Sequence, residues 1–320
     1  MTESGFGLQS GYHEKRLLTT CVTSASVKKE VFVFSPLIFW PGLAGVIVLA
    51  IGCFTVRKDL SAAPGLDKLF ALACVFFAAP LALFGAEHFA AARGISQVVP
   101  PWMPGRLFWT YFVGLCLIAA ALSLVLGKYI RLTATLLAIM FLLFVVLIHL
   151  PNVAAHPENR FVWAVAARDL TFAAGACALA ESLRTRGSPF LTPVRLYVAL
   201  ALIFFGVEHF LHPQCAPGVP LEKVTPDWFP LRMLLGYFSG AVIFVGGAAM
   251  LFPRYARTAA AGVGLLFTLL TVFLYGPILL SSATVAEMNV GENYVADTLL
   301  YGAAVLLLAA ALPAPSRPIE

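Results

Sequence analysis

The chain has 320 residues, of which 60% are hydrophobic and only 12% are charged. Soluble globular proteins carry about 25% charged residues, so this composition excludes a soluble globular domain and indicates an integral membrane protein. The formal net charge is +5, but membrane proteins gather Lys and Arg at helix ends for orientation alone. We therefore expect the lipid bilayer, and no nucleic acid, as a partner.

Nine apolar stretches are long enough to cross about 30 Å of hydrocarbon as α-helices. They are too long and too uniformly apolar for barrel strands, which alternate outward and inward residues over about ten positions. The fold class is therefore predicted to be an all-α integral membrane protein with about nine transmembrane helices. The predicted helices cover residues 37–56, 69–90, 107–126, 131–150, 162–181, 193–211, 232–252, 257–281 and 294–312.

The start of the chain differs in character from the rest. Residues 1–36 are mostly polar, and we interpret them as a loose N-terminal tail. The first apolar run contains FWPGLAG and no cleavage signal of the A-x-A kind, which favours a retained helix over a cleaved signal peptide. Residues 37–60 are predicted to form an extra leading transmembrane helix.

The remaining sequence predicts a tandem duplication. LFGAEHF at 83–89 returns as FFGVEHF at 204–210, and KYIR at 128 returns as RYAR at 254. We therefore predict two four-helix bundles, one over residues 61–186 and one over 187–313. Further matches are Trp102 with Trp228, Tyr111 with Tyr237, Gly114 with Gly240, Pro151 with Pro277 and, after a small gap, Asp169 with Asp297.

The two units are predicted to lie the same way up. Four crossings return the chain to its starting side, so the copies are related by an axis along the membrane normal. Basic residues concentrate on the side opposite the two Glu-His motifs, although the N-terminal tail is an exception. The positive-inside rule then predicts a multi-pass protein of the inner, cytoplasmic membrane with both motifs toward the outer face.

Ionisable side chains within the predicted helices are the candidate site residues, because each costs about 2.5 to 3.5 kcal/mol to insert. Consecutive Glu and His residues on a helix point about 100° apart, so each needs a different partner, and by depth we expect Tyr111 and Tyr237. Imidazole and carboxylate groups can exchange protons. The ligand-binding or proton-handling candidates are Glu87, His88, Tyr111, His149, Arg168, Asp169, Glu208, His209, Tyr237 and Asp297.

The two copies differ at several of these positions. Arg168 and Asp169 lie near the predicted midplane, where each charge requires neutralisation or protonation. Asp297 repeats only the acid and lies nearer the predicted start of its helix, and Tyr275 stands where the first copy has His149. These differences favour the first copy as the working one.

Two weaker features complete the candidate set. His209, His212 and Cys215 could share a metal ion, but Pro213 disrupts the next helical turn. Trp102 and Trp228 lie in outer loops, where they indicate either an interfacial aromatic belt or a lid over a lipid-like ligand. No disulfide is expected from the cysteine spacing, and Cys215 is predicted to be the one accessible thiol.

The order of these motifs resembles the DoxX-like membrane protein family. The shared features are EHF, a loop with Pro-Trp-x-Pro, Tyr-x-x-Gly in the next helix and a basic turn like RYAR. The resemblance covers about residues 69–312 and implies two fused four-helix units, since most members have one. It also implies a range of activities, because relatives include a quinone-linked thiosulfate oxidoreductase subunit, components of oxidative-stress complexes and more distant cargo receptors.

We therefore expect an accessory or quinone-interacting subunit of a membrane redox complex, with a Glu/His/Tyr site near the outer face. Quinone is the expected ligand and redox proteins are the expected partners. The sequence has no nucleotide-binding, hydrolase or zinc-protease motif, so stand-alone catalysis is not expected. The alternatives are a small-solute permease or lipid-like ligand-binding protein, and a scaffold whose polar residues only hold the helices together.

Overall fold

The computed structural model describes residues 36–184 and 188–313. In these ranges the secondary structure is helical, with no strand. Eight helices, α2 to α9, are long and apolar enough to cross a membrane, and α1 adds a shorter apolar stretch. The main helices are α1 (Pro36–Thr55), α2 (Asp67–Ala90), α3 (Arg106–Val125), α4 (Ile130–Ala155), α5 (Arg160–Ser182), α6 (Leu191–Leu211), α7 (Arg232–Met250), α8 (Pro253–Leu280) and α9 (Val285–Ala311).

These helices confirm the predicted all-α class and indicate a multi-pass membrane protein, while the predicted tail lies outside the described residues except for Pro36. The largest difference is α9, which begins nine residues before the predicted position. The Thr284 hydroxyl accepts from the Glu287 N–H at 3.2 Å, and the Glu287 carboxylate accepts from the Ala283 N–H at 2.8 Å. Such reciprocal capping starts a helix. Asp297 therefore lies twelve residues into α9, so the expectation that it lies near the helix start was wrong.

The helices pack in a pattern that repeats after four helices. Helix α2 packs on α3 as α6 packs on α7, and α4 packs on α5 as α8 packs on α9. The fourth helix of each set crosses to the other set, so that α9 contacts α2 and α5 contacts α6. Helices α5 and α9 also pack against each other, and α9 is the most deeply buried of the eight spans. The centre of the molecule is therefore the α5–α9 contact.

Small residues permit this central contact. A Cβ atom added to Gly175 of α5 would lie 2.5 Å from the Cα of Ala304 in α9. Membrane helices gain little from the hydrophobic effect on associating, because lipid tails are as apolar as their side chains. Close van der Waals packing of backbones therefore replaces it, and Gly175 lets α5 and α9 reach that distance.

Helices α4 and α8 each contain one wide π-helical turn, at Val145–His149 and Thr271–Tyr275. Each turn is followed by a proline, Pro151 or Pro277, two residues beyond its end. Proline lacks a backbone N–H and its ring clashes with the preceding turn, and a π turn is one way a helix accommodates such a disruption. The paired residues His149 and Tyr275 thus stand at equivalent positions of a locally altered helix.

Gly175→Ala tests the central contact. The added methyl group would collide with the backbone of Ala304, and overpacking of this kind costs about 1 to 3 kcal/mol. The matched control is Gly262→Ala in α8, where nothing lies within 4 Å of the added atom and removing a helical glycine gains about 0.5 to 1 kcal/mol. Thermal unfolding of the purified protein in detergent should show a lower midpoint for the first variant only; equal midpoints would contradict this packing.

Candidate functional site

The two Glu-His motifs end α2 and α6 in matching local geometry. His88 Nδ1 lies 2.7 Å from the Phe84 carbonyl oxygen, and His209 Nδ1 lies 2.6 Å from the Phe205 carbonyl oxygen. A carbonyl oxygen can only accept a hydrogen bond, so Nδ1 carries the proton and donates it in both rings. The neutral imidazole therefore presents Nε2 as an acceptor.

A glycine on the following helix makes room for each histidine. A Cβ atom at Gly114 would lie 2.7 Å from the Cβ of His88, and one at Gly240 would lie 2.8 Å from the Cβ of His209. Any larger residue would push α3 away from α2, or α7 away from α6. This close approach explains why the Tyr-x-x-Gly pattern occurs after each Glu-His motif.

The tyrosines of that pattern do not contact the polar pair as we expected. The Tyr111 ring stacks on Phe89 with centroids 5.6 Å apart, and the Tyr237 ring stacks on Phe210 at 6.4 Å. Both tyrosines are exposed on the outer surface of the helices. The expectation was wrong because the glycine contact aligns each tyrosine with the phenylalanine that follows the histidine, while the glutamate faces another helix.

Glu87 faces α9, where it accepts hydrogen bonds from Asn293 Nδ2 at 3.0 Å and Asn289 Nδ2 at 3.4 Å. A second acid, Glu292, interacts electrostatically with Glu87, and its carboxylate packs on Gly42 of α1. Glu292 is only 9% exposed. No ion pair of the described residues includes either acid. Two carboxylates thus lie near each other without a counter-ion.

Glu208, the matching residue of the second motif, is neutralised. Its carboxylate lies 3.1 Å from Arg160 Nη1 at the start of α5, and Arg160 also donates to the Leu221 carbonyl at 2.9 Å. Each motif glutamate therefore meets the fourth helix of the opposite half: Glu208 meets α5, and Glu87 meets α9. The same place in the fold holds an ion pair in one half and an unpaired acid in the other.

The loop between α6 and α7 closes the second motif. The Gly218 N–H donates to His209 Nε2 at 3.1 Å, and the Tyr275 hydroxyl donates to the Ala216 carbonyl at 3.2 Å. Gly218 has a φ of +152°, and a Cβ there would lie 2.7 Å from the Tyr275 oxygen, so glycine is required. His209 is consequently fully buried.

The suggested metal set of His209, His212 and Cys215 is wrong. Both ring nitrogens of His209 already have partners. Cys215 is fully buried and disulfide-bonded, which also corrects our expectations of an accessible thiol and of no disulfide. Burial and the neighbouring Arg160 guanidinium lower the pKa of His212. The described residues include no cluster of three His, Cys, Asp or Glu side chains able to hold a metal ion.

Four other candidates form one network between α4, α5 and α9. Arg168 donates from Nε to Asp169 at 2.9 Å and from Nη1 to Asp297 at 2.6 Å, and His149 Nε2 lies 2.8 Å from Asp169. Asp169 lies nine residues into α5, about 13 Å along the helix. One guanidinium faces two carboxylates, so the network is neutral only when it also holds one more proton. The proposed mutual neutralisation of Arg168 and Asp169 is present, and Asp297 and His149 extend it.

The outer tryptophans Trp102 and Trp228 are both exposed. An open groove of about 430 Å³ is lined by Trp228, Pro277, Leu280 and Ser281. Its lining offers one hydroxyl group and no charged side chain. The motif residues Glu208 and His209 do not line it.

One protein-family model matches the chain over residues 77–156 and 198–292, which is more than half of its length. The chain belongs to the family described as Domain of unknown function (DUF8561). The two matched stretches contain both Glu-His motifs, both π turns and the residues Glu292 and His149. No curated protein and no solved structure matches the chain.

Glu208→Gln should lower stability, whereas Glu87→Gln should not. Neutralising Glu208 leaves the largely buried Arg160 charge without a counter-ion, which costs about 3 kcal/mol. A glutamine at 87 still accepts from Asn293 and removes the like-charge contact with Glu292, so no loss is expected. Thermal unfolding in detergent measures both. A similar loss in the two variants would indicate that both glutamates serve only to hold helices together.

Proposed function

We propose that the protein is an accessory, quinone-interacting subunit of a membrane redox complex, and that the first Glu-His motif forms its binding site. The observation that carries this proposal is the contrast between two matching histidines. His209 Nε2 has an internal partner, whereas no described residue bonds to His88 Nε2. Such an unused acceptor beside two acids is available to a ligand.

The surroundings of His88 suit a ring-shaped ligand that moves within the bilayer. Phe89 and Tyr111 form a stacked pair next to it, and 46% and 40% of their respective surfaces are exposed. Aromatic rings pack favourably on such pairs in offset or edge-to-face arrangements. A quinone headgroup arriving from the lipid would therefore meet an aromatic surface before its oxygens reach His88.

The acids behind His88 can handle the protons of quinone chemistry. Oxidation of a quinol to a quinone releases two protons and two electrons. Glu87 and Glu292 lie near each other without a cation, and neighbouring carboxylates favour binding a proton between them. The electrons would pass to a partner redox protein, because the chain has no electron-carrier motif of its own. This division of roles fits an accessory subunit.

We propose that the architecture arose by tandem duplication of a DoxX-like four-helix unit, with α1 as a ninth, leading helix. The two family matches begin 121 residues apart, and Glu87 and Glu208 each lie ten residues after the start of a match. The repeated packing of α2–α5 and α6–α9 and the paired π turns support the same origin. The domain boundaries at residues 60 and 186 remain predictions.

We also propose that the protein lies in the inner membrane with both Glu-His motifs toward the outer face. The ends of the helices remote from the motifs carry the basic residues of the described chain in excess, including Lys68, Lys128 and Arg254, as the positive-inside rule requires for a cytoplasmic side. The disulfide at Cys215 supports this orientation, since disulfides persist in oxidising compartments such as the periplasm.

A small-solute permease is the second candidate function. The network of His149, Arg168, Asp169 and Asp297 favours it, because charged groups at the junction of two membrane halves often mark ion or substrate pathways. Both carboxylate oxygens of Asp169 are already bonded, however, to Arg168 and to His149. A solute would have to displace one of these partners, which makes this function the less favoured one.

Quinol binding should depend on the first motif alone. In native mass spectrometry of the purified protein with a short-chain ubiquinol kept reduced, Glu87→Gln and His88→Leu should each reduce bound ligand at least about tenfold, since one lost hydrogen bond from a quinol hydroxyl to such a site is worth about 1 to 3 kcal/mol. Tyr237→Phe, in the second copy, is the control and should leave binding unchanged. Undiminished binding in both first-motif variants would exclude this site.

Cysteine labelling tests the orientation. A membrane-impermeant maleimide should label Gln97→Cys, on the motif side, in intact cells, whereas Lys128→Cys should react only after the membrane is permeabilised. Both positions are exposed, and each lies in a segment that connects two spanning helices. The parent chain provides the background, because the described free cysteines lie within helices. The reverse pattern would place the motifs on the cytoplasmic side.

A further inference from the structure

The second copy of the site contains an occupant supplied by the chain itself. The backbone N–H of Gly218 donates to His209 Nε2 at 3.1 Å, inside a fully buried pocket closed by residues 215–221. The orientation of this histidine is fixed by the hydrogen bond that its Nδ1–H donates to the Phe205 carbonyl. In the second copy, the group bound to the imidazole Nε2 is therefore a hydrogen-bond donor.

An equivalent hydrogen bond fixes the orientation of His88. Its Nδ1–H donates to the Phe84 carbonyl at 2.7 Å, and its Cβ packs on Gly114 as that of His209 packs on Gly240. The segment between α2 and α3 supplies no hydrogen bond to Nε2 in the described chain, and His88 is only half-buried. His88 Nε2 is therefore an acceptor held in place, with no hydrogen-bond partner among the described residues.

The remaining polar group of the motif is also an acceptor. Glu87 receives two amide hydrogen bonds from α9, and its carboxylate has no hydrogen to give when ionised. Glu292 and Asp297 are further acids that interact electrostatically with Glu87. The Tyr111 hydroxyl is a donor, but its ring stacks on Phe89.

We infer that this site selects the reduced ligand, so that the protein binds a quinol in preference to a quinone. A quinol presents two O–H donors, and one of them donates to His88 Nε2 as the Gly218 N–H donates to His209 Nε2. A quinone presents only carbonyl oxygens, which would face the lone pair of His88 Nε2 and gain no hydrogen bond. This inference rests on the proposed quinone-binding function and adds the redox state of the ligand.

Equilibrium dialysis of the full-length protein in lipid nanodiscs tests the inference. A short-chain ubiquinol and the matching ubiquinone are compared without oxygen, so that the quinol stays reduced. The parent protein should bind the quinol at least about tenfold more tightly, as expected for one hydrogen bond to an otherwise unpaired acceptor. His88→Leu should abolish the preference by weakening quinol binding to the level of the quinone. Tyr237→Phe, in the second copy, is the control and should keep the preference, whereas Tyr111→Phe tests whether the tyrosine hydroxyl sets the preference instead of His88.

The outcomes separate the two proposals. Equal or tighter binding of the quinone by the parent protein overturns the redox selectivity but leaves quinone binding at this site intact. Failure of the parent protein to bind either form overturns the proposed function itself. Because the decisive comparison uses the unmodified chain, it stands even if His88→Leu fails to fold. A Tyr111→Phe variant that loses the preference would assign the selectivity to the tyrosine and contradict the inference.

Discussion

The Arg168 guanidinium bridges the central helices α5 and α9. Arg168 of α5 bonds to Asp169 on its own helix and to Asp297 on α9, across the contact where Gly175 meets Ala304. The helices have no hydrophobic reason to associate inside lipid, so close backbone packing and these bonds determine how α5 and α9 sit. Since α5 also packs on α6 and α9 on α2, the positions of both Glu-His motifs depend on this central contact.

The two motifs share a scaffold but differ in what completes it. In the second, an arginine neutralises Glu208, and a buried loop satisfies His209. In the first, Glu87 has amide partners and an acidic neighbour, and His88 keeps an acceptor without a partner from the described chain. The local geometry is the same in both motifs: a backbone carbonyl accepts the Nδ1–H, and a glycine of the next helix packs against the histidine Cβ. The difference therefore lies in the residues that each half receives from elsewhere, namely α5 and the long loop for one, and α9 for the other.

The sequence predicted the helices, the repeated motifs and four members of the central network, because long apolar runs, repeated residues and ionisable groups within apolar runs can be recognised without knowing the packing. It failed where distant segments decide the outcome. Tyr111 was expected at the Glu-His pair, but the contact between Gly85 and Gly114 sets the register of α3 and places its ring on Phe89. Asn289 and Asn293 were missed as partners of Glu87 because the polar start of α9 resembles a loop until Thr284 and Glu287 cap it. Asn289, Asn293 and Asp297 follow one another at intervals of four residues. This interval was the available signal, since it puts all three residues on one helical face.

The two Glu-His motifs differ in how far their polar groups are satisfied, and this difference has an energetic consequence. An acceptor that no group of the described chain satisfies leaves a hydrogen bond unmade, and a buried acid without a counter-ion costs free energy. The second motif shows that this fold can satisfy both groups with one arginine and one glycine-containing loop. A scaffold that only had to hold eight helices together would gain stability from the same solution in both halves. The first motif instead keeps Glu87 beside Glu292 and leaves His88 Nε2 unbonded by the described chain, and departures from local consistency of this kind concentrate at functional sites. The proposal of a ligand site in the first half rests on this contrast between the two motifs.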